Sequence, residues 1–112
     1  MMRQGEVWLV DFAPKIGQEI DKKRPAVIVN HDSMGVLQLK VVVPITDAGR
    51  AVKDWHVILY PNSGNGLTKE SAADCFQVKS ISKERFVKRL GILSEAELNQ
   101  VKLALMKVLD LL

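Results

Sequence analysis

The sequence predicts a mainly β, α+β chain: a small closed or half-closed barrel of short strands with one C-terminal helix packed against it. Three observations carry this. Short runs rich in β-branched and aromatic residues alternate with Gly, Pro, Asn and Asp clusters along most of the chain. Only the final stretch changes to helical periodicity. The 112 residues, 47% of them hydrophobic, suit one packed unit, so residues 1–112 are expected to form a single domain.

The elements follow in order. Glu6–Phe12 is the first strand, and Ala13-Pro14 stops it. Lys15–Lys23 is a polar connection carrying Gly17, too long for a tight hairpin and of the length that functional loops have. Arg24–Asn30 is the second strand, and His31–Gly35 turns the chain. Leu37–Ile45 is the third strand, with a turn at Asp47–Arg50. Trp55–Tyr60 is the fourth, ended by the strong loop signal of Pro61–Gly66. Ala72–Ile81 reads as a further strand region and Leu90–Leu93 as a short last strand. Ser94-Glu95-Ala96-Glu97 fits a capping box, in which Ser94 caps the helix and Glu97 reaches back. Leu98, Val101, Leu105, Val108, Leu109 and Leu112 then recur at helical spacing. Leu103, Met106 and Leu111 widen the apolar surface beyond one face, which a second subunit or overlying loops would cover.

Bulk properties narrow the function classes. No apolar run is long enough to span a membrane, and the N-terminus lacks a signal-peptide core. The lone Cys75 excludes an internal disulfide framework and suits a reducing cytoplasm. The net charge of +3 is mild, but it is unevenly spread. Five basic residues between Lys79 and Arg89 face only Glu84, and four between Lys15 and Arg24 face Glu19 and Asp21. Two basic segments on a small domain suit a groove for a polyanion, although solvated surface lysines give the same composition.

The charge triplet Lys22-Lys23-Arg24 runs directly into Pro25 and a β-branched strand. Arg24 thus stands at a strand mouth, where a rigid frame can aim a planar cationic fork at a phosphate. Val41–Ile45 delivers Thr46 to a strand end in the same manner. Metal chemistry finds no motif: His31, His56 and Cys75 do not have zinc-ligand spacing. Gly64-Asn65-Gly66 reads as a turn rather than a phosphate-cradling loop. Trp8 and Trp55 fit strand cores better than exposed base-stacking platforms.

The segments Gly5–Asp11, Gly17-x-Glu19, Arg24–Val29, Val42–Thr46, His56-Val57, Ser71–Gln77, Ser82–Phe86 and Arg89–Gly91, in this order and spacing, resemble the MazF/PemK family of type II toxins. The likeness runs from about Gly5 to Leu109. It implies an SH3-like β-barrel (the CcdB/PemK-type fold), usually a homodimer. It also implies a metal-independent endoribonuclease that cuts single-stranded RNA at short sequences without a cofactor. A cognate antitoxin blocks the RNA groove.

In this chemistry a 2′-OH attacks the adjacent phosphorus, giving a 2′,3′-cyclic phosphate and a 5′-OH. Negative charge gathers on the phosphoryl oxygens, and fixed donors there supply most of the benefit. The resemblance places the family's arginine at Arg24 and threonine at Thr46, with backbone N–H groups near Asp47 as further donors. Glu19 is the candidate base. His31 has suitable chemistry, yet the family pattern commonly has asparagine there. Lys22, Lys23, Gln77 and Lys79 are the candidate RNA contacts. Phe76 and Lys79 stand where many relatives carry an acid and an arginine. Asp74, two residues before Phe76, would share its face in a regular strand and is a candidate substitute. Two alternatives stay open: a non-enzymatic CcdB-like gyrase poison, and a catalytically weak RNA-binding member.

Overall fold

The computed structural model describes residues 2–14, 16–20, 22–35, 37–50 and 53–111, with Arg50 described by its backbone alone. Lys15 and Asp21 of the first long connection, and Leu112 of the helical pattern, lie outside the described residues. Among the described residues seven strands form: β1 (Glu6–Asp11), β2 (Lys23–Ile28), β3 (Leu39–Asp47), β4 (His56–Leu59), β5 (Ser71–Asp74), β6 (Lys79–Ser82) and β7 (Phe86–Ile92). One helix, α1 (Glu95–Leu109), follows.

All pairings are antiparallel, in the order β4-β5-β3-β2-β1-β7, and β6 joins β3 beyond β5. Among the described residues no ladder closes the sheet, so of the two expected barrel forms the half-closed one is found. Both faces of its central strands are nevertheless buried. Val7, Val27, Val43 and Ile45 face a larger core that α1 covers with Val101 and Ala104. Their alternating neighbours Val10, Ala26, Ile28 and Val42 face a second, smaller core with Phe12 and Ile81. This is why β2 and β3 read as continuous apolar runs rather than alternating ones.

The expected strand over Ala72–Ile81 is broken into β5, a 3-10 turn at Cys75–Gln77, and β6. The physical reason lies in β3. It pairs β6 through Leu39–Val42 and β5 through Ile45–Asp47, in two registers that do not match. The turn absorbs the difference, and Pro44, lacking an N–H, lies between the two ladders. The last strand begins at Phe86, earlier than the expected Leu90, because β1 pairs it along its length through two register shifts.

Helix α1 starts as its sequence demands. The Ser94 side chain accepts the Glu97 N–H, and the Glu97 carboxylate accepts the Ser94 N–H. It stops at Asp110, which adopts a left-handed conformation (φ 54°), so Leu111 leaves the helical face. The preceding long loop is anchored by Asn65, which is fully buried. Its Nδ2 donates to Tyr60 O at 2.9 Å and to Glu97 Oε2 at 3.0 Å, and its Oδ1 accepts the Leu67 N–H at 3.0 Å. Gly66 (φ 71°) passes so close to β7 that a Cβ would lie 2.1 Å from Leu90 O. No helix among the described residues is long and apolar enough to cross a membrane.

Candidate active site

The site forms where β2 and β3 part. The two strands are paired at Ala26–Pro44, Val27–Val43 and Ile28–Val42, and Val29 N–H bonds Val41 O at 2.9 Å. Continuing this register sets Pro25 against Ile45 and Arg24 against Thr46. Pro25 has no N–H to offer there, so the ladder ends. Beyond it, β2 pairs only with β1 and β3 only with β5. Alternation puts Arg24 on the face of Ala26 and Thr46 on the face of Pro44, so both side chains rise from one side of the opened sheet.

The gap is a cleft of about 260 Å³ whose lining includes Lys23, Arg24, Thr46, Asp47, Thr68 and Lys69. Arg24 Nε is buried here with no hydrogen-bond partner among the described residues. An unpaired buried donor is costly, and a cationic one near a threonine hydroxyl suits an anion. Lys69 Nζ forms an ion pair with Asp47 Oδ1 at the rim. Nothing in the sequence singled out Lys69 or Thr68, because they reach the cleft through the long loop before β5. The Ala48 N–H, one of the donors expected near Asp47, is already used by Glu70 O at 3.4 Å.

Glu19 lies elsewhere. It lines an adjoining cleft of about 400 Å³ together with Pro44, Phe76, Gln77 and Lys79. The structure thus brings Arg24, Thr46 and Lys23 together in one cleft, and Glu19, Gln77 and Lys79 in the next. Pro44 lines one and Thr46 the other, two residues or about 7 Å apart along β3. Lys22 lines neither; it is exposed and holds a left-handed conformation (φ 64°) at the turn into β2. Gln77 is tied down at both ends: Oε1 accepts the Ile20 N–H at 2.7 Å and Nε2 donates to Asp74 Oδ2 at 3.3 Å. It therefore clamps the β1–β2 loop onto the 3-10 turn.

Three other expectations change. The face argument that linked Asp74 to Phe76 fails, since the residues after Asp74 form a 3-10 turn and not a strand. Asp74 is buried and caps that turn, accepting the Phe76 N–H at 3.2 Å. His31 caps another turn, its Nδ1 accepting the Ser33 N–H at 3.1 Å, and it lines none of the clefts described. His56 is a hydrogen-bonded packing residue. Its Nδ1 accepts the Lys53 N–H at 3.0 Å, and its Nε2 faces Asp74 Oδ2 at 3.8 Å. Trp8 packs edge-on against Phe86 at 5.7 Å, beside the second core. Trp55, by contrast, precedes β4, belongs to neither core and lies against the exposed Phe76. Cys75 is buried under α1; burial, and then the neighbouring Asp74 carboxylate, push its thiol up to about 12. Among the described residues no cluster of three or more His, Cys, Asp or Glu is placed to hold a metal ion.

Comparison with known proteins fits this geometry. Residues 3–109 match the family model of the PemK-like, MazF-like toxins of type II toxin–antitoxin systems. The endoribonuclease MazF9 of Mycobacterium tuberculosis is 37% identical over 117 residues, covering 99% of this chain and 98% of the relative. The endoribonuclease MazF of Staphylococcus epidermidis is 31% identical over 106 residues, covering 94% and 88%. In fold, the chain is similar to a mycobacterial endoribonuclease solved in complex with its cognate antitoxin. That likeness has a TM-score of 0.81 at 20% identity and covers 100% of this chain and 98% of the other. With the family model spanning nearly the whole sequence, this chain belongs to the PemK-like, MazF-like toxin family of type II toxin–antitoxin systems.

Proposed function

We propose that the chain is an endoribonuclease toxin that cuts single-stranded RNA at short sequences, without a metal or other cofactor, and is held inactive by a cognate antitoxin. The observation that carries this is the buried, unpaired Nε of Arg24 in the cleft it shares with Thr46. A phosphodiester seated there would give that donor an acceptor. As the 2′-oxygen bonds phosphorus and the P–O5′ bond breaks, charge builds on the non-bridging oxygens. Arg24 and the Thr46 hydroxyl stabilise it.

The proton of the 2′-OH needs an acceptor, and the departing 5′-oxygen takes its proton from solvent water at the open side of the cleft. We assign the base to Glu19, the carboxylate of the adjoining cleft. The assignment requires the Gln77 clamp on the Ile20 N–H to yield when RNA binds, so that the β1–β2 loop carries Glu19 past Pro44 toward Arg24; catalytic contacts that are long without ligand often tighten in this way. Lys23, Gln77 and Lys79 line the clefts along the route of the strand and Lys22 stands exposed at the turn into β2 next to Lys23, the lysines meeting phosphates. The names of the curated relatives support ribonuclease activity, and the antitoxin-bound structural neighbour supports the partner. A homodimer would cover the exposed Leu103, Leu109 and Leu111, and a cytoplasmic site suits both the substrate and the free thiol.

The test is to digest a long RNA mixture in EDTA and map the new ends. Wild-type protein is expected to leave 5′-OH ends at a recurring short sequence, and Arg24→Ala is expected to leave none while folding normally. Equal cutting by Arg24→Ala, or ends bearing 5′-phosphate, would overturn the proposal.

A further inference from the structure

We propose that Phe76, backed by Trp55, is a stacking platform for one unpaired base of the RNA strand, next along the groove from the Arg24–Thr46 cleft. The inference rests on the ribonuclease reading and extends it to how the chain chooses its sequence.

Phe76 is 65% exposed, an unusual position for a phenylalanine within a well-anchored turn. Its own N–H is held by Asp74 Oδ1 at 3.2 Å, and the preceding Cys75 N–H by Trp55 O at 3.1 Å. The ring leans on Trp55 with centroids 5.4 Å apart at 57°, and Trp55 in turn lies against His56 at 5.8 Å. The Phe76 backbone is thus held and its ring rests on Trp55 before any ligand arrives, so stacking on it requires less ordering than a ring on a free loop would.

Its place in the groove specifies the ligand. Phe76, Gln77 and Gln18 line both the 400 Å³ cleft of Glu19 and Lys79 and a further cleft of about 390 Å³ that reaches Lys53. The first of these clefts adjoins the Arg24–Thr46 cleft through Pro44. A strand with its scissile phosphate at Arg24 thus runs over Pro44 to the aromatic pair. Lys79 lies on one side of that pair and Lys53 on the other, neither engaged in an ion pair among the described residues. A π-face flanked by cations and amides matches a nucleobase between two phosphates. Phe12, Ile20, Pro44 and Val78 give the first cleft an apolar floor, and the amides and cations of Gln18, Lys53, Gln77 and Lys79 set among them distinguish the groove from a purely apolar docking surface.

The experiment measures binding apart from cleavage. Short 2′-O-methyl oligonucleotides, which have no 2′-OH to attack, carry a single abasic site stepped along the sequence, and affinity is read by fluorescence anisotropy. At one position the abasic site should cost wild-type protein about tenfold in affinity. Phe76→Ala should bind the intact oligonucleotide about tenfold more weakly and be indifferent to the abasic site at that position. Phe76→Trp should restore the sensitivity. The exposed ring makes these substitutions tolerable to the fold, which thermal midpoints check. An unchanged abasic profile in Phe76→Ala, or no oligonucleotide binding by wild type, overturns the inference. So does a Phe76→Ala protein whose only change is loss of self-association, because the ring is then a protein contact. Cleavage of ordinary RNA is assayed in parallel. The platform with no cleavage by wild type would sink the nuclease reading alone, and cleavage with no coupling would sink the platform alone.

Discussion

Replacing Arg24 by methionine should make this protein more stable and destroy its activity at once. Arg24 Nε is a buried donor with no acceptor among the described residues. An unsatisfied buried donor costs about 1–3 kcal/mol, and more when it belongs to a charged group. Methionine keeps the apolar stem and fills irregular space without a polar demand. Some stem packing and solvent contact of the guanidinium are lost, so the net gain should be about 1 kcal/mol. For 112 residues, an unfolding entropy of about 2.1 cal/mol/K per residue converts this to a rise of about 4 °C in Tm. Removal of one preorganised donor from an anion-stabilising site costs about 10²–10³ in rate, and the loss of a full positive charge at least that. Urea unfolding and a timed RNA digestion, on the same preparations, read the two effects. A variant less stable than wild type by 1 kcal/mol or more would refute the reasoning, since Nε would then have a partner in the free protein. A stable variant that still cuts RNA would refute the role of Arg24 instead.

Three further outcomes are expected. Gly66→Ala, which drives a Cβ into Leu90 O at a left-handed position, should cost on the order of 3 kcal/mol, seen as a lowered urea midpoint; a change under 1 kcal/mol would mean the loop can shift away. Burial raises the Glu97 carboxyl, but hydrogen bonds from the Ser94 N–H, Asn65, the Ser94 hydroxyl and Asn62 outweigh it and hold the group below its ordinary 4.5. Its contribution is therefore complete above about pH 4.5 and lost as pH falls through the lowered value, so Glu97→Gln should flatten the acid limb of a stability–pH curve. At neutral pH it should cost less than about 1 kcal/mol, the lost negative charge at the helix N-terminus, because glutamine can still fill the capping box; a parallel acid limb in the variant would contradict the assignment. Native Cys75, with its thiol pushed up to about 12, should resist iodoacetamide at pH 8 and react only on unfolding; rapid native alkylation would contradict its burial.

The sequence by itself determined most of the secondary structure, because the signals there are local. Ser94 and Glu97 announce the helix start, and the β-branched runs at Val27–Val29 and Val41–Val43 announce central strands. It also determined the family, through the order of short motifs along the chain. Only the tertiary structure decided which strands would splay. Arg24 and Thr46 are 22 positions apart, and they meet because Pro25 ends a ladder whose register is set by distant pairings. Only it decided that Ala72–Ile81 would break, since the two halves answer to two registers on β3. That break turned Asp74 into a cap, tied Gln77 to the β1–β2 loop and set Phe76 in the groove. Local propensity reads one strand at a time. The site lies where three strands stop agreeing, and no single segment records that.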